Sequence, residues 1–354
     1  MPTEPWPTTM PPAELVPLRP VGYTVQPFAG SEREPAQLVI RDAPHFSEPG
    51  AAPLWSFTGD SMEWNAINGF VFRQRGDDTV ALVVNAKGHC GMVPVALGSA
   101  SGPSDFCWQP AALLPDNPHS VEYVPAGPGG SRPELVIIAS SGDNKADGTL
   151  RVYDLEASTV WTMPYIGGHG VLWDPWARRL WALGTGVLST YSFGLYGGPG
   201  LDGSAGAPGS GAPEGAVDGH DGTGWGLVDE RIELMFRSIG HDLQPDYSSH
   251  GTHLLVTTEE TTLRVSVATP QDARELVLPR GSDNLKAAAR DHAGNLLWVR
   301  QQSYGHDPAA RYCDNAFTIG TLELDGIHVS PSATIHLPDA EWTYKLRPFI
   351  TDYL

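Results

Sequence analysis

Three histidines stand at the same place in three similar segments: His119 in PHSVEYVP (118–125), His169 in GHGVLWDP (168–175) and His241 in GHDLQPDY (240–247). Each opens an apolar run, and each is followed by a polar turn and a second run, ELVIIAS, RLWALG or HLLVTT. Three imidazoles brought to one point suit a divalent transition metal (Zn, Mn, Fe or Cu) and leave places open for water or substrate. Such a centre polarises a carbonyl, generates hydroxide or activates dioxygen, according to the metal. Two more segments share the pattern with a different residue in the His place: Asn68 in INGFVFRQ (67–74) and Lys286 in NLKAAARD (284–291). Both are candidate substrate ligands. The Lys286 ammonium can neutralise a carboxylate or enolate, or act as a base once its pKa is lowered. Tyr304 and His306, in QSYGHDP (302–308), are candidate proton donors for the same chemistry. Against all this stands a plainer role, in which repeated histidines only hydrogen-bond neighbouring backbone.

The remaining titratable residues form weaker patterns. His250 and His253 (SSHGTH) read as a surface turn entering a strand, and His89 with Cys90 (KGHCG) as a Gly-flanked turn. Glu122 is three residues after His119, so strand alternation sends it to the opposite side. SGDNKADG (141–148) lacks the glutamate that ends a calcium loop and reads as a hairpin turn. No GxSxG elbow, HExxH helix or phosphate-binding P-loop is present.

The elements that must position these residues are short strands. Runs such as PELVIIASSG, GTLRVYDLE and STVWTMPY are bounded by Gly, Pro, Asp or Asn. Only LKAAARD (285–291) has a helical look, and it is too short to be a stable helix alone. The segment starts near 68, 119, 169, 241 and 286 recur about every 44–51 residues once one insertion is set aside, with room for four strands each, which is the period of a β-propeller blade. A sixth blade would be shared between the ends of the chain. QLVIRDAP (37–44) and APLWSFTG (52–59) would be its outer strands, and EWTYKLRPFI (341–350) its inner strand. The expectation is an all-β, six-bladed β-propeller closed by N- and C-terminal strands, one domain over 15–354. A Pro-rich disordered arm would precede it at 1–14, and a flexible Gly-rich insertion would interrupt it at 196–226.

Composition narrows the classes. Gly (40) and Pro (32) argue against a helical bundle, while 41% hydrophobic residues and 11 Trp supply a large core. The net charge of −19, with no Lys/Arg cluster, argues against a nucleic-acid partner. Without an apolar run of membrane-spanning length or a secretory leader, a cytoplasmic protein is expected. Cys90, Cys107 and Cys313 contain no CxxC pair and read as buried free thiols, with a Cys90–Cys107 pairing as the alternative.

The segments PHSVEYVP…LVIIASS…LRVYDL, GHGVLWDP…RLWALG and GHDLQP…LLVTT resemble a family of largely uncharacterised six-bladed propellers with "NPHS" and "HG-V-W-D-P…LWALG" blade starts. The resemblance covers roughly 115–300. More distantly the chain is similar to propellers of the gluconolactonase and strictosidine-synthase type, which implies a metal or acid–base site at the channel mouth. Their ligands are Glu, Asn and Asp, whereas this ladder is His. A His-bound metal is the ligand type of the oligogalacturonate-lyase propeller. The expected activity is therefore a metal-dependent enzyme acting on a small molecule at the channel, by lyase, isomerase or cyclase chemistry. His119, His169 and His241 would hold the metal. The alternatives are a non-catalytic propeller that binds a small ligand or protein, and a three-His iron or copper oxygenase.

Overall fold

The computed structural model describes residues 19–26, 34–42, 45–46, 48, 51–142, 147–196, 224–279, 285–300, 315–337 and 342–353. The strands run, in order, β1 (Val21–Val25), β2 (Gln37–Arg41), β3 (Trp55–Thr58), β4 (Ile67–Arg75), β5 (Asp78–Asn85), β6 (Cys90–Pro94) and β7 (Ser99–Ser101). Next come β8 (Pro118–Val124), β9 (Leu135–Ser140), β10 (Thr149–Asp154), β11 (Val160–Pro164), β12 (Gly170–Asp174), β13 (Arg179–Leu183) and β14 (Thr185–Tyr196). The remainder are β15 (Gly224–Pro245), β16 (His253–Thr258), β17 (Thr262–Ser266), β18 (Arg274–Glu275), β19 (Leu285–Arg290), β20 (Asn295–Arg300), β21 (Ala316–Leu322), β22 (Val329–His336) and β23 (Leu346–Pro348). Short 3-10 turns are the only helical segments among the described residues, so the fold is all-β. No helix there is long and apolar enough to cross a membrane.

Among the described residues the strands form five separate sheets, none of which closes on itself. They are β23-β1-β2-β3-β7, β4-β5-β6, β8 to β11, β12 to β18 and β19 to β22. The seven-stranded sheet divides at β15. The first part of that strand pairs with β14, and its last six residues pair with β16. Burial falls along each meander. In β8 to β11 the first two strands are almost wholly buried, β10 alternates, and the edge strand β11 is half-exposed. Continuous apolar runs such as LVIIAS are buried on both faces, whereas TLRVYD buries only one. The same gradient runs from β19 to β22.

Apolar side chains fill the spaces between successive units. Leu38 and Phe57 meet Phe70 and Val83, and Val71 and Leu82 meet Val121 and Ile138. Leu135 and Leu150 meet Trp173 and Leu180, and Trp181 and Leu183 meet Leu243 and Val256. Leu255 meets Ala288 and Trp298, and Ala289 and Leu297 meet Val21 and Tyr23.

Several sequence expectations are corrected. LKAAAR, the one segment with a helical look, is strand β19: its alanines are buried between neighbouring units, and that packing overrides their helix preference. Residues 224–226, expected in the flexible insertion, already belong to β15 and pair with 194–196 of β14. Residues 197–223 and the arm at 1–14 lie outside the described residues, as do Cys313, Tyr304 and His306. Cys90 is buried, but Cys107 is exposed. The terminal segments do pair, β23 with β1 antiparallel, and β1 itself had no counterpart in the sequence reading.

Candidate functional site

A β-bulge marks the start of four of these meanders. In β4 the pairing jumps from Ile67↔Asn85 to Gly69↔Val84, leaving Asn68 as the extra residue. The same jump isolates His119 in β8, His241 in β15 and Lys286 in β19. His169 lies immediately before β12, with its N–H on the Leu183 carbonyl at 2.8 Å. A bulged residue escapes the two-face alternation of the pleat, so its side chain is re-aimed. Glycine lets the chains come close: a Cβ on Gly69 would lie 2.2 Å from the His119 carbonyl oxygen.

The bulged side chains gather in order. Asn68 Nδ2 donates to Asn117 Oδ1 at 3.0 Å and to the Pro118 carbonyl at 3.1 Å, beside His119. The His119 and His169 rings lie 4.3 Å apart between centroids, and His169 and His241 lie 5.9 Å apart. Lys286 Nζ is 3.0 Å from His241 Nε2. A sixth residue completes the series. Lys345, just before β23, donates from Nζ to the Lys286 carbonyl at 3.0 Å and to the His241 carbonyl, and it pairs with Asp242 at 3.2 Å. The backbone beyond it returns to the first unit. The Gln26 N–H donates to the Trp342 carbonyl at 2.7 Å, and its side-chain amide holds both backbone groups of Ile67. Asn68, His169, His241, Lys286 and Lys345 are each less than a tenth exposed, and His119 is half-buried.

Hydrogen bonds assign the tautomers of two rings. Nδ1 of His119 faces the Asn117 carbonyl at 2.9 Å, and Nδ1 of His169 faces the Gly167 carbonyl at 2.7 Å. Carbonyls only accept, so both Nδ1 atoms carry the proton and both Nε2 atoms keep a lone pair. His241 is reversed. Its Nε2 meets Lys286, and its buried Nδ1 has no hydrogen-bond partner among the described residues.

The local field is positive. Lys345 and Arg347 share the one carboxylate of Asp242, which also accepts from Gln244 at 2.9 Å. Burial first, then the neighbouring His119, holds the His169 imidazole well below its ordinary pKa, with Lys345 and Lys286 adding to the effect. For His241 burial comes first and Lys286 second. Burial lowers Lys345 as well, although Asp242 opposes it.

A second polar layer lies further along the same strands. Arg73 and Glu122, both buried, form a two-pronged ion pair at 2.8 and 2.7 Å. Glu122 Oε2 also accepts from the Trp173 N–H at 3.4 Å, and Ser120 Oγ accepts from the Val171 N–H at 3.1 Å, so side chains of β8 cover the free edge of β12. Residues 350–353 close off this end. The Asp352 carbonyl accepts from Arg73 Nη1 and Tyr247 Oη, both at 3.1 Å, and the Arg73 guanidinium lies 4.5 Å from the Tyr353 ring centroid.

The structure thus brings together Asn68, His119, His169, His241 and Lys286. Sequence reasoning missed Lys345, Arg347 and Asp242. The signal for Lys345 was its place in EWTYKLRPFI, the segment already assigned to an inner strand. As a metal centre the three imidazoles fit incompletely. His119 and His169 have the tied-off Nδ1 typical of ligating histidines, but His241 points Nε2 at an amine. Among the described residues, the only three metal-type ligand atoms within 4.8 Å of one another belong to Glu323, Asp325 and His328, on an exposed turn. No family model matches the chain, and no curated protein matches it.

Proposed function

We propose that the chain is a six-bladed β-propeller whose hub binds a small anionic molecule, with His241 and Lys286 exchanging a proton with it. Three features support the architecture: apolar interfaces that lead from each unit to the next and back to the first, bulges at equivalent places, and a shared unit built from β23 and β1 to β3. The observation that carries the function is the buried contact between Lys286 Nζ and His241 Nε2 at 3.0 Å. An imidazole held neutral beside a buried amine is an acid–base pair. The cations around it favour developing negative charge, as on an enolate or carboxylate. Lyase, isomerase or cyclase chemistry follows, since each moves a proton at a carbon next to such a group.

A second reading, a metal held by His119, His169 and His241, draws on the tied-off Nδ1 atoms of the first two. In that reading Lys286 would have to leave His241 Nε2, and the metal would supply Lewis acidity or, as iron or copper, oxygen activation.

Calorimetric titration of chelator-treated protein with malonate separates these readings. The anion reading expects saturable binding, weakened about tenfold or more in Lys286→Met, the loss of one charge-assisted contact. No binding, or equal binding in the variant, refutes it. Metal analysis of untagged protein tests the other reading: near-stoichiometric metal, absent from the His119→Ala/His169→Ala/His241→Ala variant, establishes the metal centre.

A further inference from the structure

We infer that a groove on the β16–β18 edge is a second ligand site, which takes a small molecule bearing both an oxyanion and hydroxyl groups. The groove encloses about 360 Å³, within the range of small-molecule sites, and is lined by His253, Arg264, Ser266, Thr269, Asp272 and Arg274.

Its arginines are arranged against their own repulsion. Arg264 and Arg274 are register partners across β17 and β18, and like charges placed directly opposite destabilise a strand pair. Arg264 is held there by Nε on the fully buried carboxylate of Asp246 at 2.9 Å, to which Arg290 also reaches at 3.3 Å. Two opposed guanidinium groups, one anchored and one exposed, form a clamp for an oxyanion.

Hydrogen bonds specify what the rest of the ligand must offer. The Thr252 hydroxyl donates to the Ser249 carbonyl at 2.8 Å, so at 2.9 Å it accepts from His253 Nδ1. The lone pair of His253 therefore resides on Nε2. Burial first, then Arg264, holds this imidazole below its usual pKa and keeps it an acceptor. Asp272 is a second acceptor. Ser266 Oγ accepts from the Thr269 N–H at 3.2 Å, which leaves its own proton to donate. The lining thus pairs cations for an oxyanion with acceptors for ligand hydroxyls. A carboxylate and a phosphate ester share the required chemistry.

The test titrates D-glycerate and sn-glycerol 3-phosphate into Lys286→Met protein, in which the hub site is weakened, with propionate as the control lacking hydroxyls. Binding is followed on the His253 ring resonances by NMR. Saturable binding of either hydroxylated anion, about tenfold weaker in a further Arg274→Met variant, is expected. Tighter glycerate points to a carboxylate ligand, and tighter glycerol phosphate to a phosphate ester. Arg274 is exposed, so its loss leaves the fold intact. Failure of both anions to bind overturns the inference, as does equal binding without Arg274 or propionate binding as tightly as glycerate. The hub proposal stands or falls independently of any of these results.

Discussion

Acidification should destabilise this protein before most of its carboxylates titrate. His169 and His241 are buried, and burial together with the neighbouring lysines depresses both imidazole pKa values. In the unfolded chain each returns to about 6.5. Below that value the unfolded state binds protons that the native state refuses, so stability present above about pH 6.5 is lost as the pH falls towards the depressed native values. With both rings neutral across the window, each contributes about 1.2 kcal/mol of loss between about pH 7 and pH 5.5, about 2.5 kcal/mol for the pair. Few carboxylates protonate in that range. The assay is urea unfolding of chelator-treated protein at several pH values, beside a His169→Gln/His241→Gln variant. Wild type should lose about 2.5 kcal/mol more than the variant over the window. Parallel losses would show that the rings are charged in the native state, and the neutral acid–base pair would be wrong.

Three further outcomes follow from the packing. Glu122→Gln leaves Arg73 buried without its carboxylate and should cost about 3–5 kcal/mol, whereas the Arg73→Leu/Glu122→Leu double variant should cost less than the sum of the single changes in a urea-unfolding cycle. Lys345→Met strips hydrogen bonds from the carbonyls of His241 and Lys286, and should lower stability by about 2–4 kcal/mol while shifting the His241 ring resonances. Gly69→Ala drives a methyl against the His119 carbonyl and should cost about 1–3 kcal/mol, measured by thermal unfolding.

The cluster was legible where the sequence repeats itself. Asn68, His119, His169, His241 and Lys286 each precede an apolar run at a regular interval, and a regular interval in a meander becomes adjacency in space. Lys345 was hidden because its unit is assembled from distant parts of the chain and lacks the Gly-His or Asn-Gly start. The bulges were invisible for a different reason: an extra residue in one strand leaves no mark in composition. Glu122 pairs with Arg73, 49 residues away, a partner that cannot be read from local pattern. In β19 the run of alanines suggested a helix, because propensity is a local property and burial between two sheets is not. β7 joins β3 in parallel, in the sheet of the preceding unit, a crossing that no strand-by-strand reading anticipates.

The bulges carry a consequence for how such a protein changes over time. A residue outside the pleat answers to neither face of its sheet, so it can be replaced without repacking the apolar interior. Four of the six clustered side chains have that freedom. The scaffold can therefore exchange imidazole for amide or amine one position at a time, trying new reactivities while the body of the molecule keeps its stability.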